Sequence, residues 1–82
     1  EKREWDKALS DYTWAIFLDQ KYRPAYLRRG VAWAAKKNYP RAIADFSEAI
    51  RLDPTDPSAF HYRGHARHHN SEYDKAATDF TE

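Results

Sequence analysis

Between Tyr26 and Pro54 the apolar residues fall on two short stripes. Tyr26, Gly30 and Trp33 stand at four- and three-residue steps, and Ala42, Ile43, Phe46, Ala49 and Ile50 resume that spacing after Asn38-Tyr39-Pro40. Steps of three and four gather side chains on one face of a helix, so the stretch predicts two amphipathic helices, over about 24–37 and 40–52, joined by a tight turn. Upstream, Trp5, Ala8, Leu9, Tyr12, Ala15, Ile16 and Leu18 repeat the pattern and predict a helix over about 4–19. Downstream, the polar stop Asp53-Pro54-Thr55-Asp56-Pro57 is followed by helices predicted over about 57–69 and 72–82. No strand pattern, Gly-rich loop or low-complexity segment interrupts them.

Local signals refine these elements. Pro24, Pro40 and Pro57 suit first helical turns, where a missing N–H had no partner to lose. Asp56 is the expected N-cap of the fourth helix. Asn38 is read as the left-handed residue that closes the second. Asn70 ends the fourth, and Ser71 is expected to cap the fifth, with Asp74 completing a weak capping box. Lys36 and Lys37 suit the negative end of a helix dipole. Arg41 and Asp45 form an expected i,i+4 pair worth about 0.3 kcal/mol. Gly30 has no turn signal around it, so it marks a close helix approach, at a helix cost of about 1 kcal/mol. Trp14 and Phe17 fall off the main stripe. Exposed together they are uncommon on a monomer, so they are expected to touch a neighbouring helix.

The stripes recur. Gly30 is echoed by Gly64, Tyr39 by Tyr73 and Trp5, Ala42 by Ala8 and Ala76, and Phe46 by Tyr12 and Phe80, always at a step of 34 residues. A fixed period of this size is the mark of a stacked helical array, in which each unit buries its apolar face only against its neighbours. The chain has 82 residues, enough for one small domain. Three Trp, six Tyr and four Phe supply the large apolar areas that such a thin structure needs.

With no Cys, neither a disulfide framework nor a thiolate metal site is possible. That accords with a reducing compartment, and a cytoplasmic location is favoured. No apolar run approaches a membrane span and no signal peptide is visible. The chain starts at Glu1 and holds no Met, so it is expected to be part of a longer protein.

These residues resemble the tetratricopeptide repeat, a helix-turn-helix module. The resemblance rests on Tyr26, Gly30, Trp33, Tyr39, Ala42, Phe46, Ala49, Leu52 and Pro54, an alternation of aromatic, small and apolar positions that matches the family pattern. A third unit keeps Phe60, Gly64, Tyr73, Ala76 and Phe80, with Arg67 at a usually aromatic place. The first keeps Trp5, Ala8, Tyr12, Ala15 and Leu18 but ends at Gln20 without the Pro. Arg29 and Arg63 stand where the family has Leu. The resemblance implies an all-α fold, an α-solenoid of antiparallel helix-turn-helix pairs in a right-handed superhelix. Residues 1–82 are then a single domain: a partial repeat over 1–22 with its second helix only, a full repeat over 23–56, and a near-complete one over 57–82.

The family also implies a concave groove, lined by the first helix of each pair, that takes an extended peptide. Carried onto this chain, the groove residues are Leu27, Arg28, Val31, Ala34 and Ala35 from the second unit, and Ser58, His61, Tyr62, His65, His68 and His69 from the third. Net charge is only +1, yet no acid falls between Asp19 and Asp45 or between Asp56 and Glu72, so this face is basic and aromatic. The expected ligand is therefore an acidic segment of a partner protein. One familiar subtype clamps chaperone tails with an Asn, an Arg and a Lys. Those places hold Arg28, Tyr62 and Ser58 here, so that subtype is not expected.

His61 and His65, like His65 and His69, share a helix face at i,i+4 spacing. No carboxylate accompanies them as a third ligand, so no metal site or cofactor is expected, and the imidazoles are read as a groove lining that charges as pH falls toward about 6. Arg29 and Arg63 recur in step with Asp11, Asp45 and Asp79 and are expected to pair with these carboxylates in a structural role. No triad, phosphate loop or metal-ligand set argues for an enzyme. Nucleic-acid binding through the basic helices is an alternative that the even net charge disfavours. A homo-oligomer formed through unpaired end helices, around Trp5, Trp14, Phe17 and Phe80, is a further alternative.

Overall fold

The computed structural model describes residues 2–81, and their side chains apart from residues 2, 3, 73, 74 and 81. Its helices are α1 (Lys2–Leu18), α2 (Arg23–Ala35), α3 (Tyr39–Leu52), α4 (Pro57–His69) and α5 (Tyr73–Thr81). Each packs on the next in the chain, and α2 also touches α4. The result is an all-helical, solenoid-like slab with Cα extents of 33 × 27 × 14 Å.

Small residues set the closeness of this packing. Ala42, Ala49, Ala66 and Ala76 are buried at the helix contacts, and Phe46 is the one large side chain fully buried among the described residues. Its ring lies over Gly30: a Cβ added there would stand 2.5 Å from the ring. The same fit recurs one unit on, where a Cβ on Gly64 would meet Phe80 at 2.7 Å. The lone glycine of each first helix is thus the socket for the aromatic of the second. Burying Phe46 contributes about 2–3 kcal/mol, more than the glycine costs its helix.

Both first helices end in the same way. Lys37 and Ser71 adopt φ of 64° and 63°. Around the first, the Asn38 N–H reaches the Trp33 carbonyl and the Lys37 N–H the Ala34 carbonyl, both at 2.9 Å. Around the second, Glu72 donates to Arg67 at 2.7 Å and Ser71 to His68 at 3.1 Å. Each pair is a Schellman closure.

Several local expectations change here. The left-handed residue is Lys37, not Asn38, so α2 stops at Ala35. Asn38 is instead the N-cap of α3, accepting from the Arg41 N–H. Ser71 closes α4 and so cannot cap α5; the Asp74 side chain of the supposed capping box lies outside the described residues, as does that of Tyr73. Asp56 does cap α4, accepting from the Ser58 N–H at 2.8 Å, and that bond foremost holds its carboxyl below the usual range. Asp45 turns inward, away from Arg41, whose guanidinium lies over the Trp33 ring at 5.1 Å. Trp14 and Phe17 stay largely on the surface. They are 61% and 70% exposed and stack on each other at 5.4 Å.

Candidate functional site

The α2 and α4 side of the slab carries a chain of clefts. One, of about 470 Å³, is lined by Leu27, Arg28 and Val31 of α2, with Trp5, Tyr12 and Tyr62. It adjoins a second, of about 450 Å³, where Ala34, Ala35, His65 and His69 meet Tyr39 and Phe46. A third, of about 550 Å³, holds Ser58, His61 and Tyr62 beside Phe60 and Phe80. Tyr62 lines all three, half-exposed and stacked on Phe46 at 5.6 Å. All the groove residues expected from the sequence except His68 thus border one connected surface; His68 lies beside it, its ring 5.8 Å from that of His69.

Trp5, Tyr12, Tyr39 and Phe80 were absent from that expectation. They belong to the second-helix stripes, whose spacing reads as buried. At the open flanks of the clefts the same aromatic ring that packs on one side lines the surface on the other.

The positive charge of this side is narrower than the sequence suggests, because carboxylates reached from other helices neutralise most of it. Arg29 donates from Nε and Nη2 to both oxygens of Asp45, each at 2.7 Å, which foremost raises the arginine's pKa. Arg63 does the same to Asp79 at 3.0 and 2.8 Å, and Arg67 adds a third contact at 2.9 Å. Arg23 pairs with Asp56, and Lys36 with Asp6. Arg28 forms no ion pair among the described residues and remains exposed at the cleft.

The imidazoles divide into two settings. His61 and His65 face each other with Nε2 atoms 3.0 Å apart, so one ring nitrogen donates to the other. His69 is drawn off toward Tyr39, its ring nearly parallel at 5.2 Å. Burial, followed by the neighbouring His61, His69 and His68, lowers the His65 pKa.

Residues 1–57 match a family model described as tetratricopeptide repeat, and residues 46–78 match a second of the same description. The chain belongs to the tetratricopeptide repeat family. These helical repeats serve as protein-binding scaffolds. No curated protein sequence matches the chain. Among solved structures, the second tetratricopeptide repeat domain of Spaghetti (RPAP3), bound to the HSP90 peptide SRMEEVD, is 30% identical with a TM-score of 0.90, over 94% of this chain and 71% of that one. The Arabidopsis OM64 tetratricopeptide repeat domain is 32% identical with a TM-score of 0.92, over 96% and 65%. The TPR2B domain of yeast Sti1, in a complex with pHsp70, is 31% identical with a TM-score of 0.89, over 95% and 62%. This tetratricopeptide repeat chain therefore spans less than two thirds of two of those three domains.

Proposed function

We propose that this segment is a protein-interaction module whose α2–α4 face takes an extended acidic segment of a partner protein. The supporting observation is the connected cleft system, in which Arg28 and the imidazoles border an aromatic and aliphatic floor. Asp79, which lines the cleft beside His61, is engaged by Arg63 and Arg67, and Asp56 by Arg23 and the α4 N-terminus. The structural neighbours bound to an HSP90 peptide and to pHsp70 lend the mode of binding by analogy. The places of a chaperone-tail clamp hold Arg28, Tyr62 and Ser58 here. Tyr62 offers a ring platform where a clamp has a cation, so the ligand is an internal stretch with a carboxylate for Arg28 and an apolar side chain for Tyr62.

The test is a peptide array read by fluorescence anisotropy, in the presence of a chelator. Acidic peptides containing an aromatic or large aliphatic residue should bind better than SRMEEVD. Arg28→Glu should weaken them by about tenfold or more, the loss of one charge-assisted contact and its reversal. Affinity should strengthen as pH falls from about 7.5 to about 6, with the His65 share arriving last because its pKa is lowered. Preference for neutral peptides, or indifference to Arg28→Glu, would remove this reading. A steep linear dependence of log affinity on log salt with a polyanion would favour nucleic acid instead. A second reading, self-association, is favoured by the exposed Trp14–Phe17 stack.

A further inference from the structure

The two histidine pairs on α4 are equivalent in spacing, but the fold separates them. His69 stacks on Tyr39, whereas His61 and His65 converge. The Phe80 ring backs both, its centroid 5.7 Å from His61 and 5.2 Å from His65. Two imidazoles at this spacing can grip an ion, but no carboxylate joins them as a third ligand, so no closed metal site is expected. The observed nitrogen separation changes the question from a closed site to a two-point chelate.

Two nitrogens each about 2.0–2.1 Å from one ion are about 2.9 Å apart at a right angle and about 3.3 Å apart at the tetrahedral angle. The Nε2 atoms of His61 and His65 are 3.0 Å apart. We propose that His61 and His65 form an open chelate for a divalent transition-metal ion of octahedral or square-planar preference, of the Ni²⁺ type. Imidazole nitrogen is a suitable donor for such ions. Both side chains are exposed, so the remaining coordination positions open to solvent and take water. Among the described residues no group of three His, Cys, Asp or Glu forms a closed site. For both Nε2 atoms to ligate, each neutral ring carries its proton on Nδ1, so the ring that now donates through Nε2 takes the other tautomer, and the ion staples successive turns of α4.

The experiment is calorimetric titration of the whole chain with Ni²⁺ in a non-chelating buffer, paired with thermal unfolding followed by circular dichroism. One ion should bind per chain and raise the unfolding midpoint. His61→Ala or His65→Ala should each weaken binding by at least about tenfold and abolish the midpoint shift, since each removes one of two ligands. Should His65→Ala lose helix content, His65→Gln keeps the side-chain bulk and is read in its place. No binding, or binding that survives these substitutions, overturns the proposal. Because no peptide is present, the outcome is independent of the groove's ligand.

Discussion

Lys37 and Ser71 are the residues most at odds with their backbone. Each holds a φ near +64°, a region in which a side chain costs about 1 kcal/mol or more and glycine does not. Each is kept there by the two hydrogen bonds that close its helix. Lys37→Gly and Ser71→Gly should therefore each stabilise the fold by about 0.5–1 kcal/mol, the gain being limited by glycine's greater freedom in the unfolded chain. Thermal unfolding should show the midpoint rise by about 2–6 °C for each, while Lys37→Ala brings no rise. These positions were illegible in the sequence for a physical reason. Asn38 and Ser71 look like end-of-helix residues, and they are, but their own roles are set by a register of carbonyls that no side chain announces. Gly30 was legible, because a glycine inside a helical stripe has few explanations other than an incoming ring.

Pairs of helices are locked by arginine and aspartate, and the two locks are unequal. Asp45 is 5% exposed and has Arg29 on both oxygens; Asp79 is 2% exposed and has Arg63 and Arg67. Each lock also reaches the preceding second helix, Arg29 to the Thr13 hydroxyl at 3.3 Å and Arg63 to the Ser47 hydroxyl at 3.2 Å. Arg29→Leu strands a buried carboxylate and should cost about 3 kcal/mol. Arg63→Leu leaves Arg67 in place and should cost only about 1–2 kcal/mol. Chemical denaturation measures both, and peptide affinity well below the transition should be unchanged, because neither guanidinium borders the Arg28 cleft. A larger loss for Arg63→Leu would mean that Arg67 does not compensate. The pairing itself was readable, since arginine and aspartate advance with the same step as the apolar stripe. Arg67 was not, because its position suggests an aromatic and only the packed helices show it sharing Asp79. Likewise the residues of α2 and α4 that line the clefts follow from the repeat, but the neutralisation of most of the charge beside them depends on partners in other helices.

The whole molecule presents an outer side that differs between units. In α3 the surface is closed by Glu48 and Arg51, an ion pair three residues apart. One repeat step earlier, the same places on α1 hold Trp14 and Phe17. The equivalence makes these rings surface positions, which explains why stacking on each other leaves them open to solvent. Beside them Leu9, Thr13 and Trp33 line a shallow, mostly apolar cleft of about 450 Å³. A Trp and a Phe can each bury about 150–250 Å² against a partner, a fraction of the roughly 1,600 Å² of a standard stable interface. Self-association through this patch should therefore be weak and concentration-dependent. Sedimentation velocity over a wide concentration range should show the weight-average coefficient rising for the native chain. The double variant Trp14→Glu, Phe17→Arg copies the charge arrangement of the next unit and should sediment as a monomer throughout. Its unfolding free energy should stay within about 0.5 kcal/mol of native, because both side chains are exposed. If association persists in the variant, the contact lies instead at the end helices, where Trp5 and the 46% exposed Phe80 would meet head to tail. If the native chain is monomeric at every concentration, neither face joins copies of this molecule, and the aromatic pair on α1 is a surface without a second copy to cover it.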